Sequence, residues 1–297
     1  MNKLDPAARA ARLPLWTGKV DPVPLTGGIT NTNFVVDHGG QRYFVRIGDD
    51  IPIHGVMRFN ELAAARAAAA AGLSPDVLYA EPGVMVTPFV AGRTWTPADV
   101  AKPANLRRAV MLIRRCHFDL PKYVRGPVLM FWVFHVVRGY AGTLRDGKSS
   151  HTPRLPELLD RAGKLEAAIG PIEVVFGHND LLAANFIDAG DRLWLVDWDY
   201  AGFNSPLFDL ANLASNNELP ADLETALLTD YRGTAPDDAF RRAFAAMKCA
   251  SLLRETMWSM VSEIHSTIDF DYGAYSADYL GRFERAYDDF VKGYGAT

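Results

Sequence analysis

The sequence predicts an α+β protein of two lobes, a small one built on antiparallel strands and a larger helical one. Three observations carry that expectation. Residues 20 to 90 alternate apolar and polar positions between glycine turns, with one alanine-rich helix among them. From residue 92 onward, apolar positions recur at helical spacing over long stretches. A pair of short apolar strands is embedded among those helices. The division falls near residue 90, giving lobes of 1–90 and 91–297.

Composition narrows the function classes. The 297 residues are 49% hydrophobic and 22% charged, which suits a folded chain. The formal charge of -4, from 31 basic against 35 acidic residues, offers no cationic excess for binding phosphate backbones, so a general nucleic-acid binder is not expected. No apolar run approaches the roughly 20 residues that span a bilayer. The N-terminal MNKLDPAARAARLP lacks the apolar stretch of a signal peptide, so the expectation is a cytoplasmic enzyme without membrane partners. Cys116 and Cys249 match no metal or redox spacing and read as reduced thiols. Oligomeric state stays open.

In chain order, Asn33 to Asp37 and Tyr43 to Ile47 alternate around Gly39-Gly40 and read as a hairpin. The stretch from Met57 to Ala71 has very high helix propensity and stops at Gly72, with Pro75 beyond it. Val77 to Ala80 and Val84 to Val90 flank the turn Glu81-Pro82-Gly83 and read as a second hairpin. Helices are expected at 97–116, 156–168, 206–216, 220–231, 236–265 and 274–293. Glu173 to Phe176, Asn185 to Ile187 and Leu193 to Val196 read as short strands, the last two joined by the turn Asp188 to Asp191.

Two segments compete for a phosphate. Gly142-Thr143-Leu144-Arg145-Asp146-Gly147-Lys148-Ser149 fits the Walker A letters, and Leu193 to Asp197 would be its acidic strand. A Walker loop needs a strand leading in and a helix starting at its Lys-Ser. Pro153 and Pro156 follow within eight residues of Lys148 and oppose such a helix, so the segment reads as a solvated polar loop. The second segment is His178-Asn179-Asp180 through Asn185, with Asp197 twelve residues later. Phosphoryl transfer needs a carboxylate to accept the proton of the attacking hydroxyl, and oxygen ligands to hold magnesium on the phosphates. Asp180 suits the first role, Asn185 and Asp197 the second, and the hairpin from 185 to 196 would return Asp197 beside Asn185 as in protein kinases.

Upstream, the paired glycines of Leu25-Thr26-Gly27-Gly28-Ile29-Thr30-Asn31-Thr32-Asn33 allow backbone amides to approach phosphate. Arg46 on the next strand and Glu61 in the alanine helix match the cation and carboxylate that position nucleotide phosphates in kinases, with a surface ion pair as the plainer alternative.

Taken in order with the block Val196-Asp197-Trp198-Asp199-Tyr200-Ala201-Gly202-Phe203-Asn204 and the later Phe208-Asp209-Leu210-Ala211-Asn212, these motifs resemble the choline/ethanolamine kinase family. That family belongs to the aminoglycoside phosphotransferase and protein-kinase-like superfamily, and the resemblance runs over roughly residues 20 to 290. Arginine at position 46, where most kinases have lysine, is a habit of that family. The resemblance implies a two-lobed protein-kinase-like fold and transfer of the γ-phosphate of ATP, with Mg2+, to the hydroxyl of choline or ethanolamine. It implies that Asp180 is the base, that Asn185 and Asp197 bind magnesium, and that Gly27, Gly28, Thr30, Asn31, Arg46 and Glu61 serve the nucleotide phosphates. Asp209 would be structural, accepting from catalytic-loop amides. Thr87 to Val90 would be the adenine hinge, the Pro88 carbonyl accepting from the adenine amino group and Val90 donating.

A quaternary ammonium donates no hydrogen bond and is held on aromatic faces near carboxylates. By the same resemblance Trp258, Phe270 and Tyr275 fall at cage positions, with Tyr272 and Tyr279 nearby. Glu255 departs from the pattern: it stands one helical turn before Trp258, where the family often has a second tryptophan, and is expected to place a negative charge beside the substrate cation. Glu255, Glu263, Asp269 and Asp271 also leave room for an aminoglycoside acceptor, and the aromatic groups for thiamine. A catalytically silent nucleotide-binding regulator would be expected to lose Asp180, Asn185 or Asp197, and all three are present.

Overall fold

The computed structural model describes residues 5–25 and 31–295. Strands β1 (Val23–Leu25), β2 (Thr32–His38), β3 (Gln41–Ile47), β4 (Tyr79–Glu81) and β5 (Val84–Pro88) form one antiparallel sheet in the order β1-β2-β3-β5-β4. The β2–β3 hairpin closes at His38↔Gln41 over Gly39 and Gly40, whose φ values of 59° and 74° are those the tight turn requires. Phe34, Val36, Val45, Ile47, Val84 and Val86 share one face and form a small apolar core with Ala10, Leu13 and Trp16. Ala10 comes from α1 (Pro6–Ala11), which the sequence did not announce because six residues are too few for a period; the Asp5 side chain caps it by accepting from Ala8 N at 3.1 Å. Helix α2 (Arg58–Ala70) forms where the alanine run predicts and stops before Gly72 at φ 69°. Its buried Ala64, Ala65, Ala67 and Ala68 belong to the main core of the protein.

The rest is mainly helical. It contains β6 (Arg93–Thr94), β7 (Val175–Gly177), β8 (Phe186–Asp188), β9 (Leu193–Leu195) and β10 (Gly202–Asn204), paired as β6-β8-β9 and β10-β7. Its helices are α3 (Pro97–Val100), α4 (Pro103–Phe118), α5 (Val133–Asp146), α6 (Leu155–Ile169), α7 (Pro206–Asn216), α8 (Ala221–Arg232), α9 (Asp238–His265) and α10 (Tyr272–Tyr294). The expected 97–116 helix is two, because Pro103 holds Lys102 in an extended conformation and starts a new helix. Helix α9 is the central post, packed against α5, α6, α7 and α10. From Cys249 to Ser262 it is buried on every side.

Helix α5 corrects the reading of the Walker-like segment. Phe134, Val137, Ala141 and Leu144 recur at helical spacing and are buried, so Gly142 to Asp146 is the last turn of a helix and neither a phosphate loop nor a solvated one. Pro153 and Pro156 lie in the first turns of the next helical segments, where a missing N–H costs nothing. No helix among the described residues is long and apolar enough to cross a membrane.

Candidate active site

The loop after β7 is fixed from below by α7. His178 N and Asn179 N donate to Asp209 Oδ2 and Oδ1 at 2.9 and 2.7 Å, and Leu181 N donates to Asn212 Oδ1 at 2.5 Å. Asp209 and Asn212 lie three residues apart on one helix face, so a single helix supplies all three acceptors. His117 Nε2 approaches Asp209 Oδ2 at 2.9 Å, and its Nδ1 meets Tyr231 OH at 2.7 Å. Burial alone would raise the Asp209 carboxyl; the hydrogen bond and charge of His117, with His178, outweigh it and hold the group below its ordinary range. Asp209→Ala would leave two buried amides and His117 Nε2 unmatched. We expect a loss on the order of 3 kcal/mol of stability by urea unfolding. A loss under about 0.5 kcal/mol would contradict the scaffold role.

Asn179 adopts a left-handed φ of 65°, held by its side chain, which donates to Tyr200 O at 3.0 Å and Gly202 O at 3.3 Å and accepts from Asn204 Nδ2 at 3.0 Å. His178 Nε2 donates to Val196 O at 3.0 Å. This strained turn sets Asp180, half-buried, at the head of the loop. Asn185 Nδ2 donates to the Asp180 carbonyl at 2.8 Å, which anchors its amide nitrogen and fixes the direction of the side-chain oxygen. The β8–β9 hairpin closes with Val196 N on Asn185 O at 3.0 Å, so Asp197 follows directly beside Asn185, as the spacing predicts. Asp197 also has a left-handed φ, 68°.

Enclosure by protein pushes the Asp180 carboxyl up to about 7; the charges of Glu255, Asp199 and Asp209 add to that rise, and Arg254 opposes it. Asp197 is open to solvent at its side chain yet hemmed in by protein and by the charges of Asp199, Asp180 and Glu61, which together hold its carboxyl well above the usual range. Carboxylates crowded this way, beside an amide oxygen, fit a divalent cation. Among the described residues no cluster of three or more His, Cys, Asp or Glu side chains could hold a metal alone. Two protein oxygens completed by phosphate and water is how magnesium is commonly held, so the donor set fits that ion.

A buried ion network joins the sheet lobe to this loop. Arg46 Nη2 meets Glu61 Oε2 at 2.6 Å, and both side chains are at most 5% exposed, so the pair is internal and not a surface bridge. Arg58 Nη1 joins Glu61 at 2.8 Å and Asp199 Oδ1 at 2.7 Å. Asn31 Nδ2 donates to Asp199 Oδ2 at 3.0 Å, while its Oδ1 accepts from Arg58 Nη2 at 2.5 Å. A Cβ at position 48 would stand 2.5 Å from Asn31 Oδ1, so a side chain there would push that amide away from Arg58 and Asp199. Sequence reasoning missed Arg58 and Asp199; the Arg-x-x-Glu spacing on a helix and the Asp-x-Asp repeat were the available signals. Gly27, Gly28 and Thr30 lie outside the described residues.

At the hinge position, the Pro88 carbonyl accepts from Thr87 Oγ1 at 3.2 Å and keeps a second lone pair. Phe89 N donates to Arg42 O, whereas Val90 N has no hydrogen bond among the described residues.

The expected cage residues do come together. Tyr275 OH donates to Glu255 Oε1 at 2.9 Å, and the Tyr275 ring lies 6.2 Å from Trp258 and 5.8 Å from Phe270. Trp258 is 4% exposed and donates its Nε1–H to Tyr200 OH at 2.9 Å, while Phe270 is 39% exposed. Glu255 is not the unopposed charge the sequence suggests, because Arg254 Nη1 meets its Oε2 at 2.6 Å. His54, from the segment before α2, packs against Trp258 with ring centroids 5.3 Å apart and the planes tilted by 37°. Ser262 Oγ spends its proton on Trp258 O, so it accepts from His54 Nε2 at 3.2 Å, and His54 Nδ1 accepts from Tyr140 OH at 3.3 Å. Burial, with the charges of Arg254 and His265, lowers His54 to about 3 and keeps it neutral.

An antiparallel sheet lobe, a buried Arg–Glu pair and a carboxylate loop facing a second acidic loop define a kinase-like phosphotransferase. The choline/ethanolamine kinase family model matches residues 23–230, and the chain belongs to that family. It is 25% identical to protein LicA of Haemophilus influenzae over 279 residues, covering 90% of this chain and 79% of that protein. It is 27% identical to a probable ethanolamine kinase of Arabidopsis thaliana over 303 residues, covering 90% and 78%. The solved structure of a choline/ethanolamine kinase family protein from Mesorhizobium loti superposes with a TM-score of 0.78 at 28% identity, covering 98% of both chains.

Proposed function

We propose that this protein transfers the γ-phosphate of ATP to the hydroxyl of a small amino alcohol, choline or ethanolamine, in the cytoplasm where ATP is supplied. The observation that supports this reading is that the loop bearing Asp180 and Asn185 and the Glu255–Trp258–Tyr275 cluster meet at Tyr200, whose carbonyl accepts from Asn179 Nδ2 at 3.0 Å and whose hydroxyl accepts from the Trp258 indole at 2.9 Å. Asp180 orients the acceptor hydroxyl and takes its proton at a carboxylate oxygen. Arg46, held by Glu61, serves the nucleotide phosphates, and the Pro88–Val90 segment serves the adenine edge. Asn185 and Asp197 would hold Mg2+, which when bound offsets phosphate charge. The acceptor ammonium lies against the aromatic faces of Tyr275 and Phe270, backed by Trp258. We assign the lobes to residues 1–90 and 91–297, with His54 reaching across to the second.

ATP consumption measured with choline, ethanolamine, thiamine and kanamycin tests the reading. Turnover with either of the first two, at least about tenfold above the others in kcat/KM, is expected. A preference for kanamycin or thiamine would overturn it.

A further inference from the structure

Arg254 is among the largest fully buried side chains of the protein, on the stretch of α9 that has no exposed face. A guanidinium carries five N–H donors, and a buried one ordinarily has most of them matched. Here only Nη1 has a partner, Glu255 Oε2 at 2.6 Å; Nε and Nη2 have none among the described residues. What the group has instead is an aromatic face. Its central carbon lies 4.3 Å from the centroid of the Tyr200 ring and 5.6 Å from that of Phe131. A carboxylate on one side and a π face on the other are the two features by which proteins recognise a cation. Both are held here by a cation that belongs to the protein. The same two residues anchor the aromatic cluster, Tyr200 through the Trp258 indole and Glu255 through the Tyr275 hydroxyl.

We propose that Arg254 is a specificity-determining residue of the acceptor site: its guanidinium occupies the cation position between Glu255 and Tyr200, so the acceptor is selected by the remaining aromatic faces and gains no net attraction from Glu255. The proposal rests on the acceptor site described above. It follows that removing the guanidinium alone strands a buried carboxylate and opens the space beside it, and a ligand cation then supplies the missing charge. Removing both members of the pair restores the neutral balance of the native protein, since a buried ion pair is often replaceable by apolar side chains.

The test is calorimetric titration of tetramethylammonium and ethanolamine into the wild-type protein, Arg254→Met and the double variant Arg254→Met/Glu255→Met. The uncharged dimethylbutanol analogue of choline controls for changes of shape. Arg254→Met should bind both cations about tenfold or more tighter than wild type with the neutral analogue unchanged, and the double variant should return to within about threefold of wild type. Equal or weaker cation binding by Arg254→Met would overturn the proposal. So would a tenfold loss of cation binding in the double variant, which would mean that Glu255 serves the ligand in the native protein. If the single variant does not fold, the double variant decides alone. Because the titration reads binding, failure of the wild-type enzyme to phosphorylate either amino alcohol would count against the proposed function and leave the Arg254 result standing.

Discussion

Asp180→Asn lowers turnover by a factor on the order of 100 or more while MgATP affinity stays within about threefold. The asymmetry follows from where the residue sits. Asp180 lends only its backbone carbonyl to the loop scaffold, through Asn185 Nδ2 at 2.8 Å, and that bond survives any change of side chain. No side-chain hydrogen bond holds its carboxylate among the described residues, so the substitution removes a proton acceptor and little else. The pH dependence carries a second signature. Enclosure raises this carboxyl to about 7 against the opposing charge of Arg254, with Glu255, Asp199 and Asp209 adding to the rise. A base works only when unprotonated, so kcat/KM for the acceptor should fall as pH drops through the group's pKa. Magnesium held by Asp197, as proposed, would add positive charge and bring the midpoint down, so the acid limb should lie at or below about 7 and disappear in the variant. Near-wild-type turnover in Asp180→Asn, or an unchanged acid limb, would remove the residue from its assigned role.

The parts of this site legible in the sequence are those written locally. His178 to Asp197 is one loop and one hairpin, and the twelve-residue return from Asn185 to Asp197 follows from strand pairing alone. The alanine helix and the glycine hairpin are equally local. What was missed lies in contacts between distant segments. Asn31 meets Asp199 across 168 positions, and His54 meets Ser262 across 208, with no period or motif linking them. Helix α5 is hard to read from the sequence because Gly139 and Gly142 weaken its propensity and the Walker letters overlap its end. Arg254, and with it the pairing that neutralises Glu255, escaped for a different reason. It lies in the run Leu252 to Val261, which is buried on every side, so the amphipathic rule that would place it at the surface does not apply. Two adjacent opposite charges inside a helical run with no other charged residue are a signal of a buried pair, and the sequence did contain it.

Asp197→Asn should abolish most of the magnesium dependence of nucleotide binding and lower turnover by a factor on the order of 100 to 1000. Asparagine is the instructive substitution because position 197 has a φ of 68°, a conformation asparagine tolerates and alanine does not. In the wild-type protein, magnesium should tighten ATP binding; in the variant, titrations with magnesium and with chelator should nearly coincide. Stability separates this outcome from simple damage. The folded-state pKa of Asp197 lies well above the ordinary carboxylate value, chiefly through enclosure and then through Asp199, Asp180 and Glu61. The native state therefore binds more protons than the unfolded chain, and without metal this group costs stability progressively as pH rises from about 4 through its raised pKa. Removing its charge relieves that cost, so metal-free Asp197→Asn should melt at or above the wild-type temperature at pH 8 even as it loses function. Lys148→Ala provides the contrast. Lys148 follows the last turn of α5, where Ser149 N closes on Leu144 O, and its loss should leave both magnesium dependence and turnover unchanged. If Lys148→Ala instead removed the metal dependence while Asp197→Asn kept it, the phosphates would belong to the segment from Gly142 to Ser149 and the assignment of Asn185 and Asp197 would fall.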